Sequence, residues 1–218
     1  MLYLTSVKEI QKNPEFFYSI LSPLRRNKLN NLKSEEDQLL SIAVEAALLY
    51  GLIHEGFSTH PPAVYEYDAK GKPVIQNGYI SLSHSGQYAA CAIHSSAIGV
   101  DIQRISNVNH DTVKRLMTPD QIRMCESLPA SRKKTAYEDF WTCKEALYKA
   151  DNRFSVRKPS PITYGNENSN LVMFGEEYRL QSYSNIPGYS LSVCCADPFP
   201  SFIWNLSGEQ LCTGIKEI

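Results

Sequence analysis

The 218 residues contain no Cys-x-x-Cys pair, no large excess of charge of either sign, and no apolar run near the ~18 residues that a membrane span needs. Each absence removes a class. The six cysteines (Cys91, Cys125, Cys143, Cys194, Cys195 and Cys212) have no histidine at zinc-site spacing, and most fall in apolar strand or helix patterns. Reduced, mostly buried thiols are expected. Twenty-two basic residues against 23 acidic ones leave a formal charge of −1, which gives no field to hold nucleic acid. Residues 1–8 show no basic segment followed by an apolar one, so a cytoplasmic protein with no membrane partner is expected. No nucleophile-elbow pattern surrounds Ser83 or Ser85, which argues against a hydrolase pairing either serine with His84. What remains is a chain with 43% hydrophobic residues, enough core for one large domain or two small ones.

The most informative stretch is Phe140-Trp141-Thr142-Cys143-Lys144-Glu145-Ala146-Leu147-Tyr148-Lys149-Ala150. Good helix formers dominate and no Gly or Pro interrupts, so the pattern predicts a helix over about 134–151. At helical spacing Trp141, Glu145 and Lys149 share one stripe with Glu138, opposite Ala136, Phe140, Cys143, Leu147 and Ala150. A second stretch, Gly99-Val100-Asp101-Ile102-Gln103, has a period of two. It predicts a strand that buries Val100 and Ile102 and turns Asp101 and Gln103 together to the other side. Taken separately, the first pattern suits a solvated helix face and the second a polar strand edge. Taken together, Asp101, Gln103 and Glu145 would supply oxygen ligands for a hard divalent cation.

Upstream, Ser34 followed by Glu35, Glu36 and Asp37 marks a helix start, with Leu39, Ile42, Ala43, Ala46 and Leu49 forming a core face that ends near Gly51. The segment 23–28 concentrates positive charge ahead of it. A Pro- and Gly-rich loop leads to Lys72, held on a stiff turn between Gly71 and Pro73. Strands are expected over 79–85 and 87–93, joined at Ser85-Gly86, with His84 between two serines where an anion could gather. Residues 109–128 read as helical, with a fresh start at Thr118-Pro119. The basic run 131–134 suits a solvated face or an edge attractive to an acidic protein. From about residue 137, helix, strand and hairpin partner follow the first-half elements at an offset of about a hundred residues. We therefore expect two similar α+β halves, 1–98 and 99–218, with Asp101 at the start of the second and a closing strand at 202–204.

In order and spacing, Gly99-Val100-Asp101-Ile102 and then Trp141-x-x-Lys144-Glu145-Ala146-x-x-Lys149, preceded by Gly71-Lys72-Pro73 and Ser81-Leu82-Ser83-His84-Ser85, resemble the signature of the surfactin-synthetase type of 4′-phosphopantetheinyl transferases. The resemblance runs from about residue 23 to 195. It implies an α+β fold of two halves related by a pseudo-two-fold, a monomer, with coenzyme A in the cleft between the halves. It implies transfer of the phosphopantetheine arm to a serine of an apo acyl or peptidyl carrier protein, with release of 3′,5′-ADP. By resemblance, Mg²⁺ would be held by Asp101, Glu145 and the pyrophosphate of coenzyme A, with the Gln103 amide oxygen able to coordinate it or a bound water. Glu145 would also take the serine proton, and Lys149 would assist the leaving group. Lys144 would contact the pyrophosphate, Trp141 would orient the helix face, and Arg25, Lys28, Lys72, Ser83 and His84 would contact the nucleotide and its phosphates. Two positions depart from the family pattern. Gln103 stands where most members carry a third carboxylate, and Leu40 falls where an arginine near the 3′-phosphate is common. Those departures define the alternative, a non-catalytic coenzyme A or carrier-binding module of the same fold.

Overall fold

A computed structural model describes residues 1–216 apart from 59, 106–108, 160–161, 165–171, 175–177, 184 and 197–202. The chain divides into two compact units, one made of Met1–Ser95 with the C-terminal stretch from Pro200, the other Ser96–Phe199.

The first unit runs β1 (Leu2–Ser6), α1 (Val7–Ile10), α2 (Pro14–Ser19), α3 (Pro23–Leu29), α4 (Glu35–His54), β2 (Glu66–Tyr67), β3 (Pro73–Ile75), β4 (Gly78–Ser85) and β5 (Tyr88–His94). The second runs β6 (Ile98–Arg104), α5 (His110–Lys114), α6 (Pro119–Ser127), α7 (Ala130–Ala150), β7 (Thr163–Tyr164), β8 (Val172–Phe174), β9 (Arg179–Tyr183) and β10 (Tyr189–Cys195). β11 (Trp204–Asn205) and α8 (Gly208–Lys216) return to the first unit.

The expected repeat is visible in the strand orders. Apart from β11 at its edge, the first sheet reads β1-β5-β4-β3-β2 and the second β6-β10-β9-β8-β7. Each unit thus opens on a strand, crosses a long helix, and returns through a meander whose last strand pairs antiparallel with the first. Two expectations need correction. The second half does not run to residue 218, because β11 pairs in parallel with β1 at Tyr3↔Trp204 and α8 packs on α4. The strand β1 itself was not foreseen, since Leu2-Tyr3-Leu4 is buried on both faces and so shows no period of two.

Local chemistry sets the helix starts. Ser34 Oγ accepts from Asp37 N at 3.4 Å, and Thr118 forms a reciprocal capping box with Gln121. Gly51, expected near the end of α4, lies within it. A Cβ there would stand 2.7 Å from Ile93 and 2.8 Å from Tyr3, so the glycine serves close packing rather than termination.

Gly99 has the same role at greater consequence. A Cβ on it would collide with the Ala146 carbonyl oxygen and stand 2.6 Å from Ala150 N, so α7 lies directly on β6. Gly99→Ala is expected to cost about 3 kcal/mol by overpacking, read as a lower denaturant midpoint at unchanged slope. No helix among the described residues is long and apolar enough to cross a membrane.

Candidate active site

β6 alternates as the sequence requires, although both faces are buried: Val100 and Ile102 are fully buried and Asp101 is only 2% exposed. Gly99 lies against α7, so Asp101 and Gln103, two and four residues on, face the helix as well. Lys149, on the last turn of α7, reaches back to this strand. Its ammonium donates to Asp101 Oδ1 at 2.7 Å and to the Val100 carbonyl at 3.1 Å. Gln103 Nε2 donates to Asp101 Oδ2 at 3.3 Å. Toward a cation, a glutamine at this position offers its amide oxygen, a neutral donor.

Glu145 lies one turn before Lys149 on the same stripe and is half-buried. Burial pushes its carboxyl above the usual range, the Asp101 charge pushes it the same way, and Lys149 and Lys144 pull it back. A carboxyl raised by burial and by a neighbouring carboxylate, with hard oxygen donors on both, belongs to a set that a divalent cation suits. Among the described residues no group of three or more His, Cys, Asp or Glu side chains is placed to hold a metal, in keeping with an amide at position 103.

The helix itself differs from the amphipathic picture. Glu138, Thr142 and Lys144 are buried along with the apolar side chains, because the sheet covers one side of α7 and α5 and α6 pack on another. Lys144, expected on the pyrophosphate, is 2% exposed. Its ammonium donates to the carbonyls of Leu116, at 3.3 Å, and Lys158. Burial lowers its pKa to about 8 despite the Glu145 charge. Lys144 therefore ties the α5–α6 connection and the chain after α7 to the helix. Trp141 is partly buried against the core that holds Phe140, Cys143 and Leu147, one turn before Glu145.

In the first unit the basic segment of α3 splits into two kinds of cation. Arg25 is 2% exposed. It donates to Glu45 at 3.0 Å, Ser41 at 3.3 Å and the Tyr65 hydroxyl at 3.2 Å, so it is held inside and not presented to a phosphate as expected. Lys28 is exposed, its pKa lowered by the surrounding protein and by the Arg25 charge. Lys72 follows a turn locked by Asp68, whose carboxylate accepts from Lys70 N at 2.8 Å and Lys72 N at 2.9 Å. Gly71 supplies the positive φ of 78° this turn needs. Ser83 and His84 are adjacent on β4 and so face opposite ways, Ser83 buried and His84 exposed. They do not gather around one anion, as their sequence neighbourhood suggested. Leu40 is buried in α4.

Sequence reasoning missed Glu45, Thr142 and Ser192 because a lone polar residue inside an apolar pattern gives no sign that it is buried with partners. A family model described as the 4′-phosphopantetheinyl transferase superfamily matches residues 97–163, which hold both Asp101 and Glu145. The chain is 25% identical over 214 residues to the 4′-phosphopantetheinyl transferase Sfp of Bacillus subtilis, covering 92% of this chain and 94% of that protein. It is 26% identical over 160 residues to the 4′-phosphopantetheinyl transferase psf-1 of Bacillus pumilus, covering 69% of each. To the 4′-phosphopantetheinyl transferase HetI of Nostoc it is 30% identical over 95 residues, covering 39% of this chain and 40% of that one.

Proposed function

The chain belongs to the 4′-phosphopantetheinyl transferase superfamily, and from that premise we propose that it moves the phosphopantetheine arm of coenzyme A onto a serine of an apo acyl or peptidyl carrier protein, a holo-[acyl-carrier-protein] synthase reaction. The serine oxygen attacks the phosphorus that carries pantetheine. The bond from that phosphorus to the bridging pyrophosphate oxygen breaks, 3′,5′-ADP departs with the electron pair, and the serine proton passes to a base.

Glu145 is the base. Its raised carboxyl pKa brings it nearer to neutral pH, where a general base is most effective. Mg²⁺ held by Asp101 and Glu145, with the Gln103 amide as a weaker third donor, would supply neutralisation of charge on the pyrophosphate oxygens. Lys149 balances the two carboxylates and stands ready to assist the leaving group. Lys28, Lys72 and His84 are assigned to the nucleotide and its phosphates, with Ser83, buried on the opposite face of β4, outside that set; Arg25 acts indirectly through the side chains of Glu45, Ser41 and Tyr65, and Lys144 through the carbonyls of Leu116 and Lys158.

The observation that supports this reading best is the direct bond from Lys149 to Asp101 beside a Glu145 perturbed by the same aspartate. The test is incubation with coenzyme A, Mg²⁺ and a panel of apo carriers. An intact-mass gain of one phosphopantetheine, lost with chelator, is expected. Coenzyme A binding with no gain on any carrier would leave a binding module instead.

A further inference from the structure

Between α7 and the sheet beneath it runs a chain of hydroxyls that the reaction itself does not use. Thr142 Oγ1 lies 2.7 Å from Ser192 Oγ and 2.9 Å from Ser190 Oγ. Ser192 Oγ lies 2.8 Å from Ser182 Oγ, and Ser190 donates to Asp139 Oδ1 at 2.6 Å. The Cys143 thiol lies 3.3 Å from Ser182 and donates to Ser192 at 3.4 Å. Thr142, Ser182, Ser190 and Ser192 are all buried.

The register relates this chain to the proposed metal residues. Ser192 is paired across the ladder with Asp101 and Ser190 with Gln103, while Ser182 pairs with Ser192. Paired residues share a face, so Ser182, Ser192 and Asp101 form one row across three strands, and Ser190 and Gln103 begin the next. Thr142 spans the two rows from above. Each hydroxyl has a single proton. Ser190 donates to Asp139 Oδ1 and Thr142 donates to the Asp139 carbonyl at 3.1 Å, so Thr142 accepts from Ser192, and the Asp139–Thr142 turn of α7 is held against Ser190 and Ser192 in one seating. Glu145 lies three residues after Thr142, so a slide or rotation of α7 that breaks these bonds also moves Glu145 against Asp101.

We propose that Thr142 is a positioning residue, and that the hydroxyl chain Ser182–Ser192–Thr142–Ser190–Asp139 sets α7 on β6 so that Glu145 and Asp101 can bind one divalent ion. The inference rests on the assignment of those two carboxylates to the metal. Residues that hold metal ligands in place typically account for about 10–100-fold in metal affinity.

The test is calorimetric titration of Mg²⁺ into the protein saturated with coenzyme A, which reads metal binding without turnover. Thr142→Val keeps the shape and removes the hydroxyl, and is expected to weaken Mg²⁺ by roughly tenfold or more. Thr142→Ser should bind Mg²⁺ as the parent does. Ser190→Ala leaves α7 unaltered and has the same expectation as Thr142→Val, so the outcome does not hang on one variant folding. Parental Mg²⁺ affinity in Thr142→Val or Ser190→Ala, even with a lower melting temperature, would mean that the chain only stabilises packing and would overturn the proposal. Asp101→Ala separates the two claims. If it too binds Mg²⁺ as the parent does, the metal pair is wrong and the positioning role falls with it.

Discussion

Glu145→Gln is expected to lower transfer to the carrier serine by about 10²–10⁴-fold, the range in which a positioned general base contributes. The glutamine keeps the length and an oxygen that can face a cation, so the lost function is proton acceptance together with one charge on the metal. The fold should survive, because Glu145 is half-buried, and burial first and the Asp101 charge second raise its carboxyl pKa. Removing that charge relieves a repulsion. Single-turnover transfer followed by intact mass, alongside a thermal melt, checks both halves of the expectation. Near-parental transfer at an unchanged melting temperature would remove Glu145 from the chemistry.

Glu45→Ala should have the largest effect on stability. Glu45 is fully buried. Oε2 accepts from Arg25 at 3.0 Å and from the Tyr65 hydroxyl at 2.8 Å, and Oε1 accepts from Ser22 N at 3.2 Å. Three segments meet on this carboxylate: the start of α3, the middle of α4, and the chain leading to β2. Its removal leaves the Arg25 guanidinium buried without a counter-charge, a change that costs about 3–5 kcal/mol. Against a typical domain stability of about 5–15 kcal/mol, that is a large share of the total. Chemical denaturation is the check, and a loss below about 1 kcal/mol would mean that Arg25 finds water or another partner. Because Lys28 lies on the helix that Arg25 anchors, surviving Glu45→Ala protein should also bind coenzyme A more weakly.

Legibility in the sequence followed physical periodicity. The elements β6 and α7, the β4–β5 hairpin and the Thr118 cap were readable because alternation, helical spacing and capping chemistry are local. The repeat was readable from element order alone. The losses came where burial is set by distant chain. Leu2-Tyr3-Leu4 becomes a central strand because β5 and β11 flank it, which nothing in those residues announces. The residues around 202 were expected to form a closing strand of the second half, but 197–202 lie outside the described residues, and Trp204–Asn205 pairs with β1. Arg25 and Lys144 look like surface cations in a one-dimensional reading. They are buried because Glu45 in one unit, and the carbonyls of Leu116 and Lys158 in the other, offer enough bonds to offset their desolvation. His84 and Ser83 were grouped by adjacency, whereas a strand separates neighbours onto opposite faces.

The account turns on whether a carboxylate from β6 and one from α7 serve a single ion. Crystals grown with coenzyme A and Mn²⁺, with the metal located by its anomalous signal, decide this. One ion bound directly by carboxylate oxygens of both Asp101 and Glu145, at roughly 2.0–2.3 Å as for hard divalent cations, is the expected result. An ion held by only one of them, or elsewhere on the bound coenzyme A with neither, would contradict it.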